Sequence, residues 1–225
     1  MTEPKIPFRQ TDLKYLWHPF TQMQEWERED FPTIVRGEGI YLIDEMGKRY
    51  IDGVSSLWCN VHGHNHPKIT QAIQTQAAKL DHSTLLGLTH PPAIRLAEML
   101  ANIAPEGLTR VFFSESGASA VEIALKIAFQ YQAQRTPPRP EKNKFIALKE
   151  AYHGDTIGAA SVGGINLFHE TYKPLLFDTI QLDSPSAHNQ SMDIDLREWE
   201  YRRIRKMEEA VRQNADETAA FIIEP

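Results

Sequence analysis

Cysteine is nearly absent: Cys59 stands alone among 225 residues. One thiol cannot form an internal disulfide, so the sequence predicts a reducing compartment, the cytoplasm, and a free buried thiol at position 59. Long apolar runs are missing too. No stretch approaches the roughly 20 residues that a bilayer span requires, and the opening MTEPKIPFRQTDLKYLWHPF lacks the apolar centre of a secretion signal. Positive charge is nowhere concentrated. Lys and Arg number 24 against 30 Asp and Glu, for a net charge of −6, and no dense basic run offers a footing for nucleic acid. Internal repeats and low-complexity tracts are also lacking. What is there, 41% hydrophobic and 24% charged residues, suits a globular chain with a sizeable core.

Breakers and hydrophobic periods divide the chain. Residues 40–52, IYLIDEMGKRYID, read as a hairpin turning at Glu45-Met46-Gly47-Lys48. Pro67 opens a helix with Ile69, Ile73, Ala77 and Leu80 along one face. Pro91 and Pro92 open a second, with Ile94, Ala97, Leu100 and Ala101 expected inward. Val111-Phe112-Phe113 reads as a short buried strand, 119–134 as a helix and RTPPRPEKN (135–143) as a linker. Strands are expected at 145–148 and 219–223, with a long charged helix over roughly 195–214 between them. Strands alternating with helices predict an α/β core with a largely parallel sheet, preceded by a small N-terminal segment. The apolar strand in TAAFIIEP stops at Pro225 with no sheet neighbour to follow, so an incomplete chain is expected.

Three polar clusters sit at the ends or junctions of these strands. In Ser116-Gly117-Ala118-Ser119, the absence of bulk lets backbone N–H groups approach a ligand, and the helix start adds about half a positive charge. Neither the lysine of a nucleoside-triphosphate loop nor the glycine spacing of a dinucleotide fold is present, which favours a smaller phosphate ligand. The plainer reading is a helix cap, and Ser119 with Glu122 has the spacing of a capping box. In EAYHGDT (150–156), Tyr152 is suited to stacking on a flat heteroaromatic ring and Asp155 to orienting it or a neighbour; the plainer reading is a solvated turn. Glu224 lies at a third strand end. Ligands of open α/β sheets collect at such ends, so the three clusters predict one shared pocket. A different chemistry is offered by HGHNH, where His62, His64 and His66 alternate as the ligands of a metal-dependent hydrolase sometimes do. Gly63, Asn65 and Pro67 read there instead as turn and helix-start residues. A non-catalytic binding module is the remaining alternative.

The segments LWHPFTQM, GKRYIDGVSSLWCNVHGHNHP, GLTHPPAIRLAEML, VFFSESGASAVEIALKIA, AYHGDTIGAASVGG and FIIEP occur here in the order in which class III pyridoxal-phosphate aminotransferases carry them. The resemblance runs from about Leu16 to Pro225. Within the class, Trp-His-Pro-Phe-Thr and Asp-Gly-Val-Ser-Ser-Leu-Trp resemble the branch that aminates 8-amino-7-oxononanoate to 7,8-diaminononanoate in biotin biosynthesis. Another class III omega-amino-acid aminotransferase is the nearer alternative.

That resemblance implies a pyridoxal-phosphate-dependent transferase fold of type I, like aspartate aminotransferase, with pyridoxal 5'-phosphate as cofactor. Residues 1–65 would belong to the small domain and 66–225 to the first part of the large cofactor-binding domain. Gly117 and Ala118 would hold the cofactor phosphate, Tyr152 would pack by the pyridine ring, and Glu224 would lie beside it. Phe20, Leu57, Trp58 and Tyr152 would border the substrates. A homodimer is implied, with sites at the subunit interface, in members about twice this length. The Schiff-base lysine and the aspartate on the ring nitrogen fall after Ile-Ile-Glu-Pro in the family. No catalytic residue is therefore expected in this chain, and Lys126 and Lys149 do not match the family's position. Relatives that use S-adenosylmethionine commonly carry Tyr where Phe20 stands and Trp-Trp where Leu57-Trp58 stands. Those departures leave S-adenosylmethionine or lysine as the implied amino donor.

Overall fold

The hairpin expected at residues 40–52 forms and gains a third strand. In a computed structural model, which describes residues 8–165, 167, 170–185 and 195–224, the chain divides into two units, residues 1–98 and 99–225. In the first, β1 (Ile34–Glu38), β2 (Tyr41–Asp44) and β3 (Arg49–Ile51) form an antiparallel sheet in the order β1-β2-β3. Asp44 closes the β2–β3 turn. Its carboxylate accepts the N–H groups of Met46 and Lys48 at 2.9 and 2.8 Å and the Tyr50 hydroxyl at 2.9 Å, and Gly47 supplies the positive φ. Two short helices, α1 (Phe8–Tyr15) and α2 (Met23–Trp26), precede the sheet and meet through Asp12, which accepts the Trp26 indole N–H at 2.7 Å.

Pro67 and Pro91 start helices α3 (Pro67–Lys79) and α4 (Pro91–Ile103), as their fixed φ predicts. Their apolar faces differ from expectation: neither helix has a buried residue, and Ile73 and Ile94 are 64% and 53% exposed. The periodicity is that of a covered face, but nothing in the described residues covers it.

The second unit holds α5 (Gly117–Gln134), β4 (Lys144–Leu148), α6 (Ile157–Val162), a 3-10 helix (Glu170–Leu175), β5 (Ile180–Leu182), α7 (Leu196–Gln213) and β6 (Thr218–Phe221). Its sheet runs β5-β4-β6 with both pairings parallel, so the expected α/β arrangement is present. β4 is central, which explains its uninterrupted apolar run: Phe145, Ile146, Ala147 and Leu148 are all buried. Leu125 of α5 and Val162 of α6 pack with Phe145 and Ala147, and Val121, Ala128, Ala219, Ala220 and Ile222 close around them. α7 is the long charged helix, capped by Asp195, whose carboxylate accepts the N–H groups of Arg197 and Glu198.

Two expectations fail. Val111–Phe113 is not a strand, and Phe112 is 70% exposed. A strand needs a hydrogen-bonding neighbour, and no described segment supplies one. Cys59 is exposed rather than buried, because it follows a turn that projects its side chains outward. Among the described residues no helix is long and apolar enough to cross a membrane.

Candidate functional site

α5 begins on a run of small residues. Ser116 is its N-cap, in extended conformation, and its Oγ accepts the Ser119 N–H at 3.1 Å. The Ser116 hydroxyl donates to Ser119 Oγ, and the Ser119 hydroxyl donates in turn to the Glu115 carboxylate. That last bond holds the Glu115 carboxyl below its ordinary range. The N–H groups of Gly117 and Ala118, in the first helical turn, have no partner among the described residues. Nothing lies within 4 Å of where a Cβ of Gly117 would stand, so the approach is open.

The capping box expected from Ser119 and Glu122 does not form. With Ser116 as the cap, Ser119 is already the third helical residue and Glu122 lies almost a turn further on. Its carboxylate instead accepts the Gly158 N–H at 2.8 Å, at the start of α6, where Thr156 is the N-cap. A side chain on Gly158 would run into that carboxylate. Glu122 thus ties α5 to the helix that follows β4.

The segment after β4 closes against the start of α5. Gly154 has φ +121°, and a Cβ there would stand 2.6 Å from Ala118 Cβ and 2.9 Å from Ala118 Cα. Only glycine allows this approach. Tyr152 donates its backbone N–H to Glu224 Oε2 at 2.7 Å and its hydroxyl to Asp155 at 2.6 Å. The bond to Asp155, with some burial, raises the Tyr152 phenol above its ordinary pKa. Between them His153 is drawn down by burial, an effect that the charge of Glu224 partly offsets. His153 Nε2 is buried without a hydrogen-bond partner among the described residues. The three clusters from separate parts of the sequence are therefore brought together, Gly117-Ala118 through Gly154 and Glu224 through Tyr152. Sequence reasoning missed Gly154 and Glu122 as the joints. The glycine between two polar residues was the available signal for the first, and nothing local marked the second.

A cavity of about 460 Å³ lined by Lys149, Ser161, Lys173 and Gln181, among others, includes none of these residues. Lys149 is ion-paired with Asp183 at 2.7 Å, and Lys126 is exposed on α5, as expected of a surface charge. Phe20, Leu57 and Trp58 belong to the first unit. All three have left-handed backbone, with φ of 49°, 63° and 70°, and are 88%, 67% and 75% exposed. The histidine alternative is corrected. No group of three potential metal ligands exists among the described residues. Both ring nitrogens of His64 are engaged, Nε2 with Asp52 at 2.8 Å and Nδ1 with Asn60 at 3.2 Å, while the His62 and His66 rings lie 6.0 Å apart.

The class III aminotransferase family profile matches residues 22–225. The chain belongs to that family. Among curated class III aminotransferases it is 48% identical over 218 residues to adenosylmethionine-8-amino-7-oxononanoate aminotransferase of Geobacter sulfurreducens, covering 96% of this chain and 48% of that protein. The crystal structure of adenosylmethionine-8-amino-7-oxononanoate aminotransferase from Methanocaldococcus jannaschii superposes with a TM-score of 0.84 at 44% identity, covering 95% of this chain and 45% of that one. An omega transaminase from Pseudomonas jessenii, solved in complex with PMP, superposes at 0.85 with 27% identity over 95% of this chain and 47% of that one. The fold is thus that of the class III transaminases, and the chain spans about half the length of the relatives it matches.

Proposed function

We propose that the whole protein is a pyridoxal-phosphate-dependent aminotransferase that converts 8-amino-7-oxononanoate to 7,8-diaminononanoate. The observation that carries the reading is the meeting of Gly117-Ala118 with the Tyr152–Asp155 segment through Gly154. It puts two unpartnered N–H groups at a helix start beside an aromatic residue held by hydrogen bonds at two points. A phosphate and a flat pyridine ring are the chemistry those groups suit. Names of the relatives, each roughly twice this chain's length, support the substrate.

Pyridoxal phosphate, when bound, supplies the electron sink that lets an amino group exchange for a carbonyl oxygen. This chain's residues would hold it. Gly117 and Ala118 would donate N–H groups to the phosphate, and Ala118, having no hydroxyl, contributes only its backbone. Tyr152 would cover one part of the ring, its hydroxyl kept as a donor to Asp155. Glu224 fixes the Tyr152 backbone from a second strand end. His153, whose pKa burial draws down and whose buried Nε2 has no partner among the described residues, would complete the polar lining. The reading assigns neither the lysine nor the aspartate that the chemistry also requires to a residue within 1–225, so this stretch alone would be inactive and would bind cofactor weakly.

Phe20, Leu57 and Trp58 would face the substrates with an apolar wall suited to the methylene chain of the oxo-acid. Leu57 in place of an aromatic ring withdraws a cation–π surface from a sulfonium donor. S-adenosylmethionine remains the first donor of the reading and lysine the second. We further infer a cytoplasmic homodimer, with residues 1–65 in the small domain and 66–225 in the large one. The test is the full-length enzyme with 8-amino-7-oxononanoate and either donor, followed by mass spectrometry for 7,8-diaminononanoate. Product with neither donor, or none at all while other omega-amino acids are turned over, refutes the substrate. Leu57→Trp should raise the rate with S-adenosylmethionine if the missing ring matters.

A further inference from the structure

Four consecutive residues, Ser55, Ser56, Leu57 and Trp58, have φ between 49° and 70°. A left-handed helical turn built without a single glycine is disfavoured at every residue, because each Cβ crowds the backbone. Such a turn persists only where its surroundings fix it. Backbone bonds such as Trp58 N–H to Val54 at 2.8 Å close the turn, but packing of its apolar side chains adds no further brace, since Leu57 and Trp58 are largely exposed.

One carboxylate does. Asp52, at the end of β3, accepts the Ser56 N–H on Oδ1 at 2.8 Å, and on Oδ2 it accepts the Ser56 hydroxyl at 2.8 Å and the His64 ring at 2.8 Å. The Asp52 side chain is 5% exposed and that of His64 13%. These bonds, the Ser56 N–H foremost, hold the Asp52 carboxyl below its ordinary range. His64 is itself immobilised. Its N–H and C=O pair with Gly39 at 2.7 and 3.1 Å, and its ring lies so close over Gly37 that a Cβ there would stand 2.6 Å from His64 Cβ. With the Asn60 amide nitrogen facing Nδ1, the ring proton sits on Nε2 and is donated to Asp52. The β1–β2 hairpin, through His64 and Asp52, therefore grips the middle of the turn.

We propose that Asp52 and His64 are positioning residues for amino-acceptor binding: they lock the strained turn so that Leu57 and Trp58 present a preformed apolar contact to the methylene chain of the acceptor. This rests on the reading of Leu57 and Trp58 as substrate-facing residues. Neither Asp52 nor His64 touches the substrate in this account. Their contribution is to remove the cost of ordering two bulky side chains at the moment of binding.

The test uses the full-length enzyme loaded with cofactor. Asp52→Asn turns a carboxylate that receives three hydrogen bonds into an amide whose own N–H groups must face at least one of those donors. Amide hydrogen exchange at Ser56 should accelerate at least tenfold, and KM for 8-amino-7-oxononanoate should rise roughly tenfold. The kcat should stay within about twofold, and cofactor absorbance should be unchanged. His64→Ala should move exchange and KM the same way by less, and serves if the first variant does not fold. Adding Ser56→Gly to Asp52→Asn should recover part of the KM, because glycine enters the left-handed region freely. Unchanged exchange, faster exchange with unchanged KM, or a loss of cofactor in parallel with the loss of substrate affinity overturns the proposal. If the wild-type enzyme does not aminate 8-amino-7-oxononanoate, the functional reading fails. The same comparison, made with the acceptor it does use, then decides this one.

Discussion

Replacing Gly154 with alanine strikes the joint between the start of α5, proposed above to hold the cofactor phosphate, and the segment that follows β4. Two costs arise in the complete enzyme. The backbone at φ +121° lies where side-chain-bearing residues are strained, at about 1–3 kcal/mol. The new methyl would also stand 2.6 Å from Ala118 Cβ, 2.9 Å from Ala118 Cα and 3.3 Å from Ala159 Cβ, an overpacking worth about 1–3 kcal/mol. The predicted destabilisation is their sum, about 2–6 kcal/mol. Relief would come by moving the start of α5 away from β4, which carries the Ala118 N–H out of reach of a phosphate. Loss of one hydrogen bond to a charged group, about 1.5–3 kcal/mol, weakens cofactor binding roughly 10- to 150-fold. Urea unfolding of the apoenzyme reads the first effect, and cofactor titration followed by absorbance reads the second. Ala118→Gly in the same chain removes the nearest clashing methyl but leaves both the strained φ and the crowding against the residue 118 backbone. It should therefore recover only part of both losses, with a coupling energy that a double-mutant cycle measures. Wild-type stability and cofactor affinity in Gly154→Ala would refute the reasoning outright.

Glu122→Ala should cost about 1–3 kcal/mol in urea unfolding by leaving the Gly158 N–H unsatisfied, whereas Glu122→Gln, which keeps an acceptor oxygen, should cost much less. His153 has a folded pKa below its unfolded value of about 6.5. The unfolded chain therefore binds the proton more readily, and stability present above about pH 6.5 is lost as pH falls through the lowered folded value. Urea midpoints across that window should drop less in His153→Gln than in the wild type; an equal drop removes His153 as the cause. Ile146→Ala, in the centre of β4 with no exposed surface, should cost about 2–5 kcal/mol, and a cost under about 1 kcal/mol would mean that the site collapses around the gap.

Elements whose signals are local were legible in the sequence. Proline fixed the starts of α3 and α4, Glu45-Met46-Gly47-Lys48 the turn between β2 and β3, and the apolar runs the strands β4 and β6. The expectation failed where a residue's role depends on another element. Val111–Phe113 has strand composition but no neighbour to bond among the described residues. Glu122 has capping-box spacing but a better donor across the fold in Gly158. β1 and β5 went unread because Ile34–Glu38 carries glycine and two charges and Ile180–Leu182 is only three residues long. The candidate site was legible as three clusters; their joining through Gly154 brings together residues far apart in sequence, which no local pattern encodes. The left-handed turn was invisible for a related reason: Ser-Ser-Leu-Trp has no glycine to announce it, and its cause is a carboxylate at Asp52 braced by His64.

The position of β4 in the middle of its sheet sets a timetable for synthesis. Its partner β5 begins about thirty residues later and β6 about seventy. At roughly 5–20 residues per second on the ribosome, β4 emerges seconds before either edge can be covered, with four consecutive apolar residues and no proline or charge among them. β5 arrives first but is only three residues long, so one edge of the nascent strand stays open until α7 has passed and β6 appears. Over that interval the segment Phe145–Leu148 has an edge open to pairing with a neighbouring nascent chain.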